Sequence, residues 1–230
     1  MPDEPNLSYD VRKAVRHLRR VDPKMGRLVA RIGAFKFRLA GHKSPYEALL
    51  RAIFYQQLHG KAAATILQRF KDRFGAGHLP TPEQVVAADT RALRAVGLSR
   101  QKIAAIRDLA AKTIDGTVPP LAEVERLPDD EIIKRLTAVR GIGVWTVEML
   151  LMSQLGRPDV LASSDYGLLK GFQIAYRKRR MPKPKELHAF GERWRPYRSV
   201  ASWYLWRAAD AAKQAKSEKS NSSLKSNNAR

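Results

Sequence analysis

Apolar residues recur every three or four positions through almost the whole chain, the spacing of one buried helix face, and turn signals cut the pattern into short units. Val11–Val21 reads as a basic amphipathic helix ending before Asp22-Pro23, and Lys24–Ile32 as a second one closed by Gly33. Ser44-Pro45 is a start signal: an N-cap serine, proline at the first helical position and Glu47 at the third. The helix that follows is predicted over Tyr46–Leu58. Lys61–Phe74 continues the period as far as Gly75 and Gly77, and Thr81-Pro82-Glu83 repeats the cap-plus-proline device ahead of Glu83–Ala88. Helices are expected at Thr90–Val96 and Arg100–Ile114 and, after the break at Thr117–Pro120, at Asp129–Ala138. The rest are Trp145–Leu155, Tyr166–Tyr176, Lys185–Arg193 and Ser199–Ala212. No segment sustains strand alternation, so the expected fold is all-α. From Ala211 onward there is little to bury, and residues 213–230 are expected to form a disordered basic tail.

The most informative stretch is LTAVRGIGVWTVEMLLMSQL (Leu136–Leu155), followed by DVLASSDYGLLKGF (Asp159–Phe172). Gly141 and Gly143 flank Ile142 between two helical segments, so the backbone can turn sharply and leave N–H groups uncovered at the next helix start. Amides there attract anions, because unpaired donors and the helix dipole act together. One acidic residue, Asp165, follows a short connection later. Held near a bound phosphate backbone, a carboxylate is electrostatically awkward, which points to a chemical role. Ser163, Ser164 and Asp165 also suit a plain helix cap.

Charge settles which anion the chain expects. With 43 Lys and Arg against 22 Asp and Glu, the net charge is +21. Since the last twenty residues hold five Lys or Arg and one Glu, +17 of it belongs to the body. A basic body of this size reads as a polyanion binder, nucleic acid before membrane. There is no cysteine, which excludes disulfides, thiolate metal sites and a cysteine-ligated iron–sulfur cluster. The five histidines show no metal spacing. MPDEPNLSYD lacks a signal-peptide apolar region, and no segment is long enough to span a membrane, so a cytoplasmic location is expected.

Four blocks in order resemble the helix-hairpin-helix–GPD superfamily of DNA glycosylases, in particular the bacterial 3-methyladenine DNA glycosylase II branch and its short relatives. They are AIFYQQLHGKAAATI (Ala52–Ile66), VGLSRQKIAAIRDLA (Val96–Ala110), the hairpin through Asp165, and ERWRPYRSVASWYLW (Glu192–Trp206). The resemblance implies a two-part helical fold with a cleft between the parts. Residues 1–42 would pack with 158–212 as one subdomain, and 43–157 would form the other, with the hairpin motif at about 136–155. Larger relatives carry an N-terminal β-rich domain; the residues before Ser44-Pro45 are too few for one, so a minimal member is expected.

The same resemblance implies roles. Ser164-Asp165-Tyr166-Gly167 matches the family's catalytic aspartate, where a carboxylate stabilises an oxocarbenium-like sugar. Members that also cut the strand carry a lysine where this chain has Trp145, and an indole cannot form an imine, so hydrolysis without lyase activity is expected. Gly141, Gly143 and Val144 would offer amides to phosphate, with the Thr146 hydroxyl and Arg140 as further contacts. Carbonyls of Thr137, Val139 and Ile142 are candidates for a monovalent cation; no other cofactor is expected. Trp145, Trp206, Tyr55 and Met149 would form a slot for an extruded base, although aromatic residues on helices more often belong to a core. Gln57 and Leu58 stand where relatives insert a wedge into the duplex. The run Arg177-Lys178-Arg179-Arg180 grips phosphates or is simply a solvated face.

The function expected is a monofunctional glycosylase of base-excision repair. It would act as a monomer on double-stranded DNA, without an obligate protein partner, and release alkylated purines such as 3-methyladenine and 7-methylguanine. The alternatives are the same fold with another lesion (ethenoadenine, hypoxanthine or a mismatched base) or a non-catalytic DNA-binding module.

Overall fold

The computed structural model describes residues 7–227, with side chains as far as 218, and the described residues are all-helical. The chain divides into two compact units, one built from Ala40–Leu155 and the other from the segments up to Leu39 and from Gly156 onward.

The central unit holds α3 (Pro45–Tyr55), α4 (Gly60–Phe74), α5 (Pro82–Ala87), α6 (Thr90–Ala95), α7 (Arg100–Ile114), α8 (Leu121–Val124), α9 (Asp129–Thr137) and α10 (Val144–Ser153). Helix α7 lies at its middle, packed by α3 and α5, while α10 packs on α3 and α9. Leu49, Leu50, Ile53 and Phe54 of α3, Phe70 of α4 and Ile106 and Leu109 of α7 are buried together. Each such side chain contributes about 1.5–3 kcal/mol of hydrophobic stabilisation. The start signals act as written in the sequence. Ser44 Oγ accepts the Glu47 N–H at 3.1 Å, and Thr81 forms a reciprocal capping box with Gln84.

The terminal unit holds α1 (Val11–Val21), α2 (Pro23–Ile32), α11 (Tyr166–Ala175), α12 (Pro184–Gly191), a 3-10 turn (Glu192–Trp194) and α13 (Arg198–Asn227). Its core is the α11–α13 packing, with Leu168, Phe172, Tyr204 and Leu205 buried. Two glycines allow it: a Cβ on Gly171 would lie 2.0 Å from the Leu205 carbonyl oxygen, and one on Gly167 would lie 3.0 Å from the Trp206 ring. Asp22 is only 4% exposed and ties the unit together. Its Oδ1 caps α2 through Lys24 and Met25, while its Oδ2 accepts Tyr176 Oη–H and Trp194 Nε1–H.

Three expectations change. Helix α3 stops at Tyr55 rather than Leu58, and Gln57 adopts φ +55°. Nothing in the local sequence breaks the helix there; Lys102 Nζ donates to the Phe54 carbonyl at 2.6 Å and the Gln56 side chain donates to the Gly141 carbonyl, so tertiary bonds end it. The short helix α8 lies between two breaks and had no period to announce it. Helix α13 runs to Asn227, so residues 213–227 are helical rather than a disordered tail; they continue the helix from Arg198 with no Gly or Pro to break it. Residues 228–230 of that tail lie outside the described residues.

Candidate active site

The hairpin joins α9 to α10. Gly141 has φ +79°, a conformation that disfavours any side chain, and its missing Cβ would also touch Ala105. Ile142 between the glycines is buried, anchoring the turn in the core. Gly143, the N-cap of α10, has no side chain over the helix start and nothing within 4 Å of a Cβ position. Among the described residues, the N–H groups of Gly143 and Val144 donate to no backbone carbonyl, whereas those of Thr146 and Val147 both reach the Gly143 oxygen. Two exposed residues thus present amides at a helix N-terminus, an arrangement that favours anions.

A second element holds this turn. Asp108 of α7 accepts the Arg140 N–H at 2.7 Å through Oδ2, and its Oδ1 receives Lys112 Nζ at 2.6 Å. Burial works against ionisation of Asp108, but Lys112 and the Arg140 amide outweigh it and hold the carboxyl below its ordinary value. Gln56 Nε2 donates to the Gly141 carbonyl at 2.9 Å, linking the α3–α4 turn to the hairpin. Neither Asp108 nor Gln56 was marked by the sequence reading. They lie 32 and 85 positions from their partners, with no motif to connect them.

Tyr55, Gln57, Arg140, Gly141, Trp145, Thr146 and Met149 line one cavity of about 860 Å³ in the central unit. Tyr55 and Trp145 are 43% and 45% exposed, large apolar surfaces left uncovered beside it. Leu58 and Val144 are exposed as well, though outside its lining. Lys102 also lines the cavity; burial lowers its ammonium pKa, and its bond to the Phe54 carbonyl makes it a fastener of the α3 terminus. No sequence signal singled out Lys102.

Asp165 and Trp206 belong to the terminal unit. Asp165 is the N-cap of α11, its Oδ1 accepting the Leu168 N–H at 2.8 Å. The same oxygen accepts Trp206 Nε1–H at 2.8 Å. Capping and a fixed carboxylate therefore coexist, and Trp206, expected only as a stacking face, is also a hydrogen-bond donor to Asp165. Tyr166, the next residue, is 67% exposed, and nothing in the sequence beyond its place in the motif signals it. Among the described residues, no group of three or more His, Asp or Glu is placed to hold an ion.

Helix α9 ends at Thr137, so the Thr137 and Val139 carbonyls lie near a helix C-terminus, where the dipole is negative, while the Ile142 carbonyl precedes Gly143, the N-cap of α10. The Val139 carbonyl accepts the Ile142 N–H at 3.0 Å and keeps a second lone pair. Hard carbonyl oxygens of this kind fit a monovalent cation and not a soft metal. Among the described residues, no helix is long and apolar enough to cross a membrane.

Residues 50–196 match the model of the HhH-GPD superfamily base excision DNA repair proteins. DNA-3-methyladenine glycosylase 1 of Schizosaccharomyces pombe is 40% identical over 201 residues, covering 87% of this chain and 88% of the relative. A solved 3-methyladenine DNA glycosylase of Schizosaccharomyces pombe in complex with abasic DNA superposes with a TM-score of 0.76 at 40% identity, over 85% of this chain and 95% of the other. A solved DNA-3-methyladenine glycosidase of Bacillus halodurans gives a TM-score of 0.80 at 34% identity, over 87% and 91% of the two chains. A family model matching well over half of the chain and a relative this similar show that the chain belongs to the HhH-GPD superfamily of base-excision DNA repair proteins.

Proposed function

We propose that this protein is a monofunctional DNA glycosylase that releases alkylated purines, 3-methyladenine and 7-methylguanine among them, from double-stranded DNA. The hairpin amides of Gly143 and Val144 grip a backbone phosphate, with Arg140 and Thr146 beside them. Gln57 and Leu58, on the strained turn after α3, fill the gap left by the extruded nucleotide, offsetting part of an unstacking cost of a few kcal/mol. Trp145, Tyr55, Met149 and Trp206 offer aromatic and soft surfaces to a base that carries positive charge.

The bond from C1′ to the base nitrogen breaks heterolytically, and the cationic purine leaves as a neutral base with the bonding electrons. No general acid is required. Asp165 stabilises the cationic sugar, and water captures C1′ and gives its proton to solvent. A cation held by the Thr137, Val139 and Ile142 carbonyls would add positive charge to the hairpin's hold on phosphate. Trp145 supplies no amine, so the strand stays intact.

The observation that carries this reading is the Asp165 carboxylate, fixed by the Leu168 and Trp206 N–H groups at 2.8 Å each. Single-turnover release from methylated duplex tests it, with wild type and Asp165→Asn side by side. Asparagine keeps an acceptor for both N–H groups and remains a good cap, so it removes charge alone. Release of methylpurines by wild type, intact strands until alkali is added, and loss of release but not of DNA binding in the variant are expected. Equal release by the variant sinks the mechanism. Tight binding without release by wild type leaves a DNA-binding module or another lesion.

A further inference from the structure

Two shallow cavities on the terminal unit share Lys178 and Phe190. The smaller, about 320 Å³, has four cationic side chains in its lining: Lys24, Arg27, Lys178 and Arg193. Its one acidic neighbour, Asp22, is buried and committed to Tyr176, Trp194 and the cap of α2. Among the described residues, none of the four cations forms an ion pair. Other arginines of the unit behave differently: Arg198 and Arg195 engage Asp159 and Glu192, and Arg180 grips Glu186 through both terminal nitrogens at 2.7 and 2.9 Å.

Two of the cations are held rather than loose. The Arg193 guanidinium stacks on Phe190 at 3.7 Å from the ring centroid, and its Nε donates to the Phe190 carbonyl at 3.1 Å, so its two terminal nitrogens are the donors that remain. Lys24 Nζ lies 5.9 Å from the Tyr176 ring centroid. Lys24 and Arg27 stand one turn apart on α2, and Arg179 beside Lys178 carries the charge into the second cavity. Unpaired like charges in one concavity repel each other, and an apolar floor raises the local potential, so the arrangement is relieved by an anion. Charge spread over two adjoining cavities suits successive phosphates better than one ion, and a planar, pre-oriented guanidinium suits phosphate oxygens.

We propose that this cationic surface, on Lys24, Arg27, Lys178, Arg179 and Arg193, is a second phosphodiester site, which holds the DNA backbone independently of the hairpin. The inference rests on DNA as the ligand but not on the lesion or on Asp165, so it is read on undamaged duplex.

Fluorescence anisotropy with an undamaged duplex of about 30 base pairs, between about 50 and about 200 mM NaCl, compares wild type with Arg27→Gln/Lys178→Gln. A control, Lys213→Gln/Lys216→Gln, carries the same change in net charge on exposed positions of α13. Loss of two phosphate contacts should make the log–log salt slope shallower by about two, so that wild type loses about tenfold more affinity across the range than the variant. The control should keep the wild-type slope. An unchanged slope in the variant, or an equal change in the control, overturns the proposal. Inorganic phosphate at constant ionic strength should leave the difference between the two proteins in place; if it erases the difference, the cavity is a small-anion site and the proposal falls. Should wild type release no base from methylated DNA, the reading of the reaction fails while these slopes still stand.

Discussion

Trp206 donates its indole N–H to Oδ1 of Asp165 at 2.8 Å, joining residues 41 positions apart. Asp165 is thereby fixed from two directions, by the first turn of its own helix α11 and by the facing helix α13. Preorganising a carboxylate in this way removes the reorganisation that water would otherwise require as charge develops on the sugar. Trp206→Phe keeps an aromatic face and loses the N–H. A hydrogen bond to a charged group contributes about 1.5–3 kcal/mol, so single-turnover base release is expected to fall roughly ten- to a hundredfold. DNA affinity should be nearly unchanged. Wild-type release rates in this variant would reduce Trp206 to a stacking surface.

The contact between α11 and α13 depends on absent side chains. A Cβ at Gly171 would sit 2.0 Å from the Leu205 oxygen and 2.6 Å from its carbonyl carbon, and backbone cannot yield as a side chain can. Gly171→Ala should therefore destabilise the protein by about 2–3 kcal/mol, read as a lower midpoint in urea. Because the helices that separate carry Asp165 and Trp206, base release should fall too, even well below the melting temperature. An unfolding midpoint equal to that of wild type would contradict the packing described.

The hairpin should loosen in acid through Asp108. Its carboxyl titrates below the ordinary value of 3.8, because Lys112 and the Arg140 amide outweigh the opposing effect of burial. The folded chain thus binds this proton less readily than the unfolded chain. The stabilisation is complete above the ordinary value and is lost as the pH falls through it toward the lower folded value. The Arg140 amide resonance, followed by NMR from neutral pH downward, should move only in that acidic window. Asp108→Ala should remove the transition and cost about 1 kcal/mol at neutral pH. A variant whose Arg140 resonance titrates like wild type would rule out Asp108 as the hairpin's anchor.

Gln56 couples the strained turn at Gln57 to the hairpin through its bond to the Gly141 carbonyl. In Gln56→Ala the two turns lose that link while the buried core is untouched. A neutral hydrogen bond of about 1 kcal/mol corresponds to roughly fivefold in affinity or single-turnover rate, with little change in melting temperature. Thermal melts and binding isotherms on one preparation separate the two effects. A large drop in melting temperature with unchanged DNA affinity would make Gln56 a structural residue only.

The amino-acid sequence determined what is local. Helical period, the Ser44 and Thr81 caps, the glycines at 141 and 143 and an acidic cap at 165 all act within a few residues, where spacing and side-chain chemistry suffice. They made the all-α fold, the glycine hairpin and the candidate carboxylate legible, and four ordered blocks pointed to the family. Tertiary structure decided what depends on distant partners. The end of α3 at Tyr55 waits on Lys102, 48 positions from Phe54, and the hairpin's anchorage waits on Asp108. The donor to Asp165 waits on two glycines that let α13 come close. The helical stretch after residue 212 leaves no period in the sequence because it has almost no apolar residues; it continues α13, with no Gly or Pro to stop it. Hydrogen bonds across long sequence separations leave no period in the chain, because they are set by packing and not by neighbours.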